Sequence, residues 1–509
     1  MTAVGAADPG VADAADQVRS VWSFFRDPRF STLFVVDLWE RFSFYGMQAL
    51  LFLYAAAPVA DGGLGLGAGT AGALFGLYMA SVFIAGLPGG WVGDRILGTR
   101  RALLYGCYFI AAGHYVLAVP ARGTFYLGLL LIAVGTGLVK PNLPVLFTVL
   151  YPRATSALRE AAFAVFYMGV QVSALLAPLV TGLLGERVNW HLGFGAAAVG
   201  MTIGVLRLVA GLRRFGPEGL EPPNPAGPAT RRRALRRTAL IVAVAALVYG
   251  ADAAAGTFAV EHLLAPLGLV ALTAPFLYYR HLMRRPEFGA GDRARIRAYR
   301  WVLVPSSLFW LLFSQLGSSF VLFAREHTDR GVGSWLVPAS WFQSLHPLFL
   351  LLVAPLSAWL WVRLGSRAGA PVKLAAGLLT SAAGFAVVAV AAVLAGSGVV
   401  SPLWLVLAFL CQACGEVTFG PVGLSVTAEM APRGYESRLI GLYYLGAACG
   451  AGLGGQLSRL VEVLPGPVYF ALFSVAAFAV GAVLAGRSAR VDRRLRIGRT
   501  RVHPSSIAS

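Results

Sequence analysis

The stretch Phe34-Val35-Val36-Asp37-Leu38-Trp39-Glu40-Arg41-Phe42-Ser43-Phe44-Tyr45-Gly46-Met47-Gln48 sets charges inside an apolar run. Read as a helix, it places Asp37, Arg41, Phe44 and Gln48 at i, i+4, i+7 and i+11 on one face, with Glu40 at its border. The run from Phe30 to Ala57 is long enough to cross a bilayer, which takes about 20 apolar residues. Ionisable side chains at that depth are costly. They face a bundle interior or a water-filled cavity, and by default they mark a route for ions or solutes. A helix end lifting its charges to the interface is the plainer reading. The apolar residues on both sides of the patch argue against it.

The composition places the chain in the membrane. Of 509 residues, 57% are hydrophobic and only 13% charged, where a soluble domain carries about 25% charged residues. Apolar runs of about 20 residues, rather than alternating tens, point to helices and away from a β-barrel. Fourteen spans are expected, near 30–57, 70–93, 101–119, 123–149, 159–184, 191–212, 238–257, 259–281, 300–324, 339–362, 372–396, 401–430, 437–458 and 466–486. The first 29 residues hold Asp8, Asp13 and Asp16 and no apolar stretch behind a basic start, so no signal peptide is expected.

A net charge of +19 by itself would suit nucleic acid. Its placement does not. With the N-terminus inside, Arg122, Arg187, Arg325, Arg330 and Arg459 fall in outside loops, and Arg41, Lys140 and Arg207 fall in spans. The other basic residues lie inside. This asymmetry is the positive-inside pattern, and it puts both termini in the cytoplasm of a cell whose inner (plasma) membrane holds the chain. Basic clusters at 213–237, 280–300 and 487–501 read as solvated faces at the membrane surface, with the lipid bilayer and not nucleic acid as the partner. Cys107, Cys411, Cys414 and Cys449 all fall in spans, so they read as small packing residues and not as a disulfide or metal set. The glycine-rich piece at 62–69 follows no strand and reads as a flexible outside loop, not a nucleotide site.

An internal repeat shows in the sequence. Gly135, Pro141 and Pro152 recur as Gly415, Pro421 and Pro432, each 280 residues on, and Tyr167–Gly169 recurs as Tyr444–Gly446. Parallel repeats of this kind mark a transporter of two like halves with its solute between them. The spans at 238–257 and 259–281 have no counterpart and read as an inserted hairpin. The expected organisation is an N-terminal segment 1–29, a six-helix bundle 30–212, basic linkers and the inserted hairpin 213–299, a second six-helix bundle 300–486, and a basic tail 487–509.

Further candidates follow from single residues. Only two lysines stand against forty arginines, and one of them, Lys140, lies inside a span. A buried lysine can lose its proton, which an arginine does not do. Glu416 is a lone carboxylate in the span 401–430. Pro141 and Pro421 are expected to interrupt their helices beside these charges, as is tolerated where backbone lines a cavity. Asp37, Glu40, Arg41, Lys140 and Glu416 sum to −1 when all are ionised, so one bound proton would neutralise the set. That is the logic of a proton-coupled carrier, in which protonation changes the pairing and the pairing biases two states. A static network holding the halves together is the alternative.

At these residues the chain resembles the proton-dependent oligopeptide transporter (POT/PTR) family of the major facilitator superfamily. Trp39 to Gly46 is similar to the family's ExxERFxYYG, and Gly135 to Asn142 to its GTGxxKPN. Gly89 to Arg95 with Gly98-Thr99-Arg100-Arg101 resembles the loop after its second span. Phe166 to Gly169 resembles FYxxINxG, Gln343 to Pro347 resembles QSxNP, and Gly415-Glu416 with Pro421 to Ser425 resembles GExxxxPVGLS. The resemblance implies an all-α membrane protein with the major facilitator fold: twelve core transmembrane helices plus an inserted two-helix hairpin. It also implies a symporter importing di- and tripeptides with protons, without a cofactor, and functional as a monomer.

Residue by residue, the resemblance assigns proton coupling to Asp37, Glu40, Arg41 and Lys140. It assigns the peptide carboxylate to Arg41, the peptide amino group to Glu416, and pocket positions to Tyr45 and Tyr78. Asp94, Arg95, Pro141 and Pro421 take gating or structural places. The departures fall in the pocket. Asp37 stands for a Glu, Phe44 and Phe83 for tyrosines, Gln48 for an Arg, Gln171 and His346 for asparagines, Ser314 for a Glu and Tyr443 for a Trp. Gln48 weakens capture of a free carboxylate, and His346 adds a group that titrates near neutral pH. Two alternatives therefore stand beside peptide symport: a carrier of another small solute, such as a modified dipeptide or an amino-acid conjugate, and a sensor or scaffold that does not transport. No nucleophile–base or metal-ligand set in the spans suggests an enzyme.

Overall fold

The computed structural model describes residues 26–152, 155–365 and 368–496. Residues 1–25 and 497–509, which hold most of the expected N-terminal segment and the end of the basic tail, lie outside the described residues.

Helix α1 (Pro28–Ala56) carries the opening stretch. Asp27 caps it by accepting the Arg29 amide at 2.8 Å, and Pro28 fills the first turn where no donor is required. There follow α2 (Ala68–Val92), α3 (Thr99–Leu117), α4 (Arg122–Leu150), α5 (Ser156–Arg187) and α6 (Trp190–Gly211). Next come α7 (Pro228–Ala254) and α8 (Glu261–Met283), then α9 (Ala290–Ser314), α10 (Ser319–Glu326) and α11 (Leu345–Leu364). The chain continues with α12 (Ala370–Ala395), α13 (Leu403–Met430), α14 (Glu436–Leu457), α15 (Gly466–Gly486) and the short α16 (Ser488–Arg496). The two-residue strands β1 (Gly331–Val332) and β2 (Trp335–Leu336) pair antiparallel between α10 and α11.

This is the all-α architecture expected of the composition. By length and composition eleven helices qualify as membrane spans among the described residues. Helices α1, α3 and α14, which carry more polar residues, occupy the other three places where spans were expected.

Packing joins α1 to α6 into one group, with α1 against α5 and α6, and α4 against α2 and α3. It joins α9 to α15 into another, with α12 against α13 and α15, and α9 against α14. The groups meet along α2 with α14 and along α5 with α11. Helix α8 packs on α2 and α14, whereas α7 has no buried residue. The sequence repeat has a packing counterpart. Gly135 lies against the Gly106 carbonyl where α3 meets α4, and Gly415 lies against the Gly377 carbonyl where α12 meets α13.

Two expectations are corrected. Pro141 and Pro421 do not break their helices, because α4 and α13 run through them. At Pro141 the missing amide frees the Gly137 carbonyl, and that oxygen faces Gly89 of α2 at a distance no side chain would permit. The Asn142 amide then donates to Leu138 O at 2.8 Å and to Gly89 O at 3.1 Å, tying the proline turn to α2. The span expected at 300–324 is not one helix either. It starts ten residues earlier, at Ala290, and breaks at a 3-10 turn over Gln315–Gly317. The break is organised by the buried Gln315, which donates to Gly454 O at 2.9 Å and accepts from Tyr469 at 2.7 Å and from Ser319 at 3.0 Å. The ring of Phe75 fills the space beside Gly317.

The contact of Gly89 with Gly137 gives a test. Gly89→Ala should lower the stability of the detergent-solubilised protein by about 1–3 kcal/mol, the usual cost of overpacking. Gly86→Ala, three residues earlier where nothing lies within 4 Å of an added methyl, should leave the thermal midpoint unchanged.

Candidate functional site

The α1 charges lie where the helical spacing puts them, and they are buried. Arg41 Nε stands 2.8 Å from Glu40 Oε2 and 3.6 Å from Asp37 Oδ1. Glu40 has no exposed surface at all, and Asp37 and Arg41 are each 8% exposed. The contact of Glu40 with Arg41 is an ion pair without hydrogen-bond alignment, so both Glu40 oxygens are left without a hydrogen-bond donor. The buried Tyr78 hydroxyl of α2 also has no hydrogen-bond partner.

Lys140 forms no ion pair among the described residues. Its ammonium lies 4.8 Å above the Phe83 ring instead, a cation–π contact. Phe83 in turn meets Trp310 edge-on at 5.3 Å and stacks with Tyr444 at 6.1 Å. One aromatic cluster therefore carries the lysine of the first group of helices to the second group.

A cavity of about 70 Å³ opens beside these charges, lined by Tyr45 and Gln48 of α1, Gln171 of α5, Gln343, His346 of α11 and Glu416 of α13. In its lining His346 Nε2 lies 3.1 Å from Glu416 Oε2. Phe313 meets the imidazole edge-on at 5.5 Å. The space holds a few waters and is far below the ~300 Å³ of a drug-sized pocket, so a larger solute requires the walls to part.

The other candidates lie elsewhere. Arg41, Phe44, Tyr78, Phe83 and Tyr443 do not line this cavity. Phe44 is in the core, edge-on to Tyr45 at 5.4 Å. Tyr443 packs over Gly423 and edge-on to Tyr444 at 5.8 Å. Asp94 and Arg95 are anchored by Asn224: its amide donates to Asp94 Oδ1 at 2.8 Å, and its carbonyl accepts from Arg95 at 3.1 Å. Arg100 donates to Leu212 O at 2.7 Å, so the loop after α2 is bound to the end of α6. Cys411 and Cys414 are free thiols, and no metal-ligating cluster occurs among the described residues.

Sequence reasoning missed the contacts that close one end of the cavity. At the end bearing the 57–67 loop, each group caps a helical start of the other. Glu186, at the end of α5, accepts the Ala339 and Ser340 amides at 2.9 Å each, at the 3-10 turn leading into α11. Glu462, after α14, accepts the Gly69 amide at the start of α2 at 2.7 Å. The glycine-rich loop is thus a docking point, since Gly67 and Gly69 lie where a side chain would collide with Glu462. Trp341 donates to Leu179 O at 3.0 Å, Ser344 to Leu175 O at 2.8 Å and Gln343 to Ala49 O at 3.1 Å. Around Glu186 stand Arg187, Arg325 and Arg330. Burial, opposed by Glu186 and reinforced by the two neighbouring arginines, holds the Arg330 guanidinium below its usual value. No motif announces Glu186 or Glu462, because a cap is recognised by what it reaches and not by its neighbours in sequence.

The POT family profile matches residues 100–472. The uncharacterized transporter YclF of Bacillus subtilis (strain 168) is 34% identical over 478 residues, covering 93% of this chain and 96% of its own. The peptide transporter YePEPT of Yersinia enterocolitica subsp. palearctica serotype O:3 (strain YE-P4) is 36% identical over 482 residues, covering 91% and 94%. A crystal structure of peptide transporter POT in complex with sulfate superposes with a TM-score of 0.87 at 37% identity, covering 92% of this chain and 95% of that one.

The caps predict how the closed end responds. Glu186→Ala removes a charged acceptor at a helical start, worth about 1–2 kcal/mol, or roughly five- to thirty-fold in population. A cysteine at Ala174, on a background without the four native cysteines, should react with an impermeant maleimide that much faster from the 57–67 side. An unchanged rate would show that the apolar contacts alone keep this end shut.

Proposed function

The chain belongs to the POT family, a family of membrane transporters, and from that premise we propose that it is a proton-coupled symporter. It imports di- and tripeptides across the inner membrane by alternating access, with both termini in the cytoplasm. The observation that carries this reading is the pairing of a buried, titratable charge cluster with a cavity between the two groups of helices.

The chemistry follows from the low dielectric. Glu40 is wholly buried and has one cation beside it, Arg41, which Asp37 shares. A proton arriving on this cluster frees Arg41 for another anion, the cargo's carboxylate. Lys140 has a ring and no carboxylate as its contact, so its charge state responds to what occupies the space near Glu40 and Arg41. Glu416 receives the cargo's positive end, and Gln48, Gln171 and His346 set which cargo fits. The reciprocal caps of Glu186 and Glu462 are the outer closure, and the two groups of helices rock about the cavity. One polypeptide suffices for this cycle.

A second reading is favoured by one observation. Glu416 already has His346 against it, and the cavity is small, so the cargo is then another small solute such as a modified dipeptide or an amino-acid conjugate.

Uptake of labelled dialanine into proteoliposomes, with and without an inward proton gradient, tests the proposal. The gradient should drive accumulation, and Lys140→Ala should lose at least tenfold of the driven uptake while keeping gradient-free exchange. Full driven uptake in Lys140→Ala would remove the coupling assignment. Absence of any flux from folded protein would favour the sensor.

A further inference from the structure

Glu416 is the carboxylate available to a positively charged cargo in the cavity, and the protein already supplies it with a partner. His346 Nε2 lies 3.1 Å from Glu416 Oε2, with the imidazole side chain 10% exposed and the carboxylate 20%. The contact lacks hydrogen-bond alignment, so neither of these two atoms has a hydrogen-bond partner. The ring is held by Phe313, edge-on at 5.5 Å. The groups facing the pair are few. Helix α1 presents Tyr45 and Gln48, α5 presents Gln171 with Tyr167 a turn away, and α9 presents Phe313. The turn before α11 presents Gln343, and α14 places Tyr443 behind Glu416. Arg41, whose charge reaches Tyr45 as that of Glu416 does, is engaged by Glu40 and Asp37. Phenols and amides are neutral between pH 5 and 8, so His346 is the one of these groups that can carry a positive charge against Glu416.

We propose that His346 is a built-in counter-ion that a cargo ammonium must displace, so that protons and the amino end of the cargo compete for Glu416. This rests on the reading of the cavity as the cargo site. One carboxylate in a small cavity neutralises one cation. With His346 protonated, an arriving ammonium leaves an excess positive charge, which a low-dielectric site resists. Binding therefore expels a proton: the imidazolium–carboxylate pair plus an ammonium becomes neutral imidazole, an ammonium–carboxylate pair and one proton released to water. Charge is conserved, at +1 on each side. A solute whose amino group is acylated brings no cation and displaces none. Acidic pH thus weakens binding of free dipeptides relative to N-acylated peptide-like solutes, and at neutral pH that handicap is lifted.

The test uses the purified full-length protein and two probes, dialanine and N-acetyl-dialanine, with binding measured by calorimetry at pH 5.5 and 7.5. Dialanine should bind about tenfold more tightly at pH 7.5 than at pH 5.5. N-acetyl-dialanine should show no such gain. Titrations of the wild type in buffers of different ionisation enthalpy at pH 5.5 should show about one proton released per dialanine and none per N-acetyl-dialanine, a readout that needs no variant to fold. In His346→Asn, with His346→Gln as a second variant, the pH dependence for dialanine should disappear and binding at pH 5.5 should tighten several-fold. A tenfold pH dependence that survives in a folded His346→Asn would assign it to another group and overturn the proposal. So would dialanine binding without proton release. No dialanine binding to wild type or variants at either pH would overturn the peptide reading together with this one.

Discussion

A carboxylate with no exposed surface, Glu40, sits in the middle of an apolar helix, and its cation is the next residue in the chain. Stripping such a group of its partner costs about 3–5 kcal/mol in a buried pair, so Arg41 and Asp37 travel with it as one unit. The rest of the first group of helices is built around keeping that unit dry. Helices α5 and α6 pack on α1, α4 closes on α2, and the lysine of α4 finds a ring where an ion pair would have cancelled its charge. A cluster with an imperfectly bonded carboxylate and an unpaired ammonium nearby is poorly satisfied for a structural network. It is well suited to changing its protonation.

The junction between the two groups of helices adds interactions of another kind. At the 57–67 end it rests on carboxylates set against helical starts and on indole, hydroxyl and amide donors reaching backbone carbonyls. Each of these can be exchanged for water at small cost, because water satisfies the same donors and acceptors. Close approaches of backbone at glycine occur within each group, such as Gly89 with Gly137 and Gly135 with Gly106, and also across the junction, where Gly76 of α2 meets Gly455 of α14. Water cannot replace those. The molecule is thus firm inside each group and along the α2–α14 seam, with the water-exchangeable contacts gathered at the 57–67 end.

The broad plan was legible in the chain. Apolar runs of bilayer length located the helices, and the spacing of Asp37, Arg41 and Gln48 located a polar face, because both depend only on near neighbours along the sequence. The 280-residue repeat was legible for the same reason, and its packing counterpart at Gly135 and Gly415 is there. The effect of Pro141 was not. A proline read locally breaks a helix, whereas here its orphaned carbonyl faces Gly89 and Asn142 secures the turn from the next position. The break at Gln315 was missed because a glutamine in an apolar run shows nothing of the hydroxyls that converge on it from α10 and α15.

By itself the sequence determined that this is a helical membrane protein with a buried charge cluster on its first long helix, because hydrophobic length and helical period are properties of consecutive residues. Which charges meet was decided only by the tertiary structure. His346 and Glu416 are 70 positions apart on different helices, and they form a pair because α11 and α13 pack side by side. Lys140 faces Phe83, Glu186 reaches the turn before α11, and Glu462 reaches α2 for the same reason. A partner chosen across the fold is set by the shape of the whole body, and nothing in the residues on either side records it.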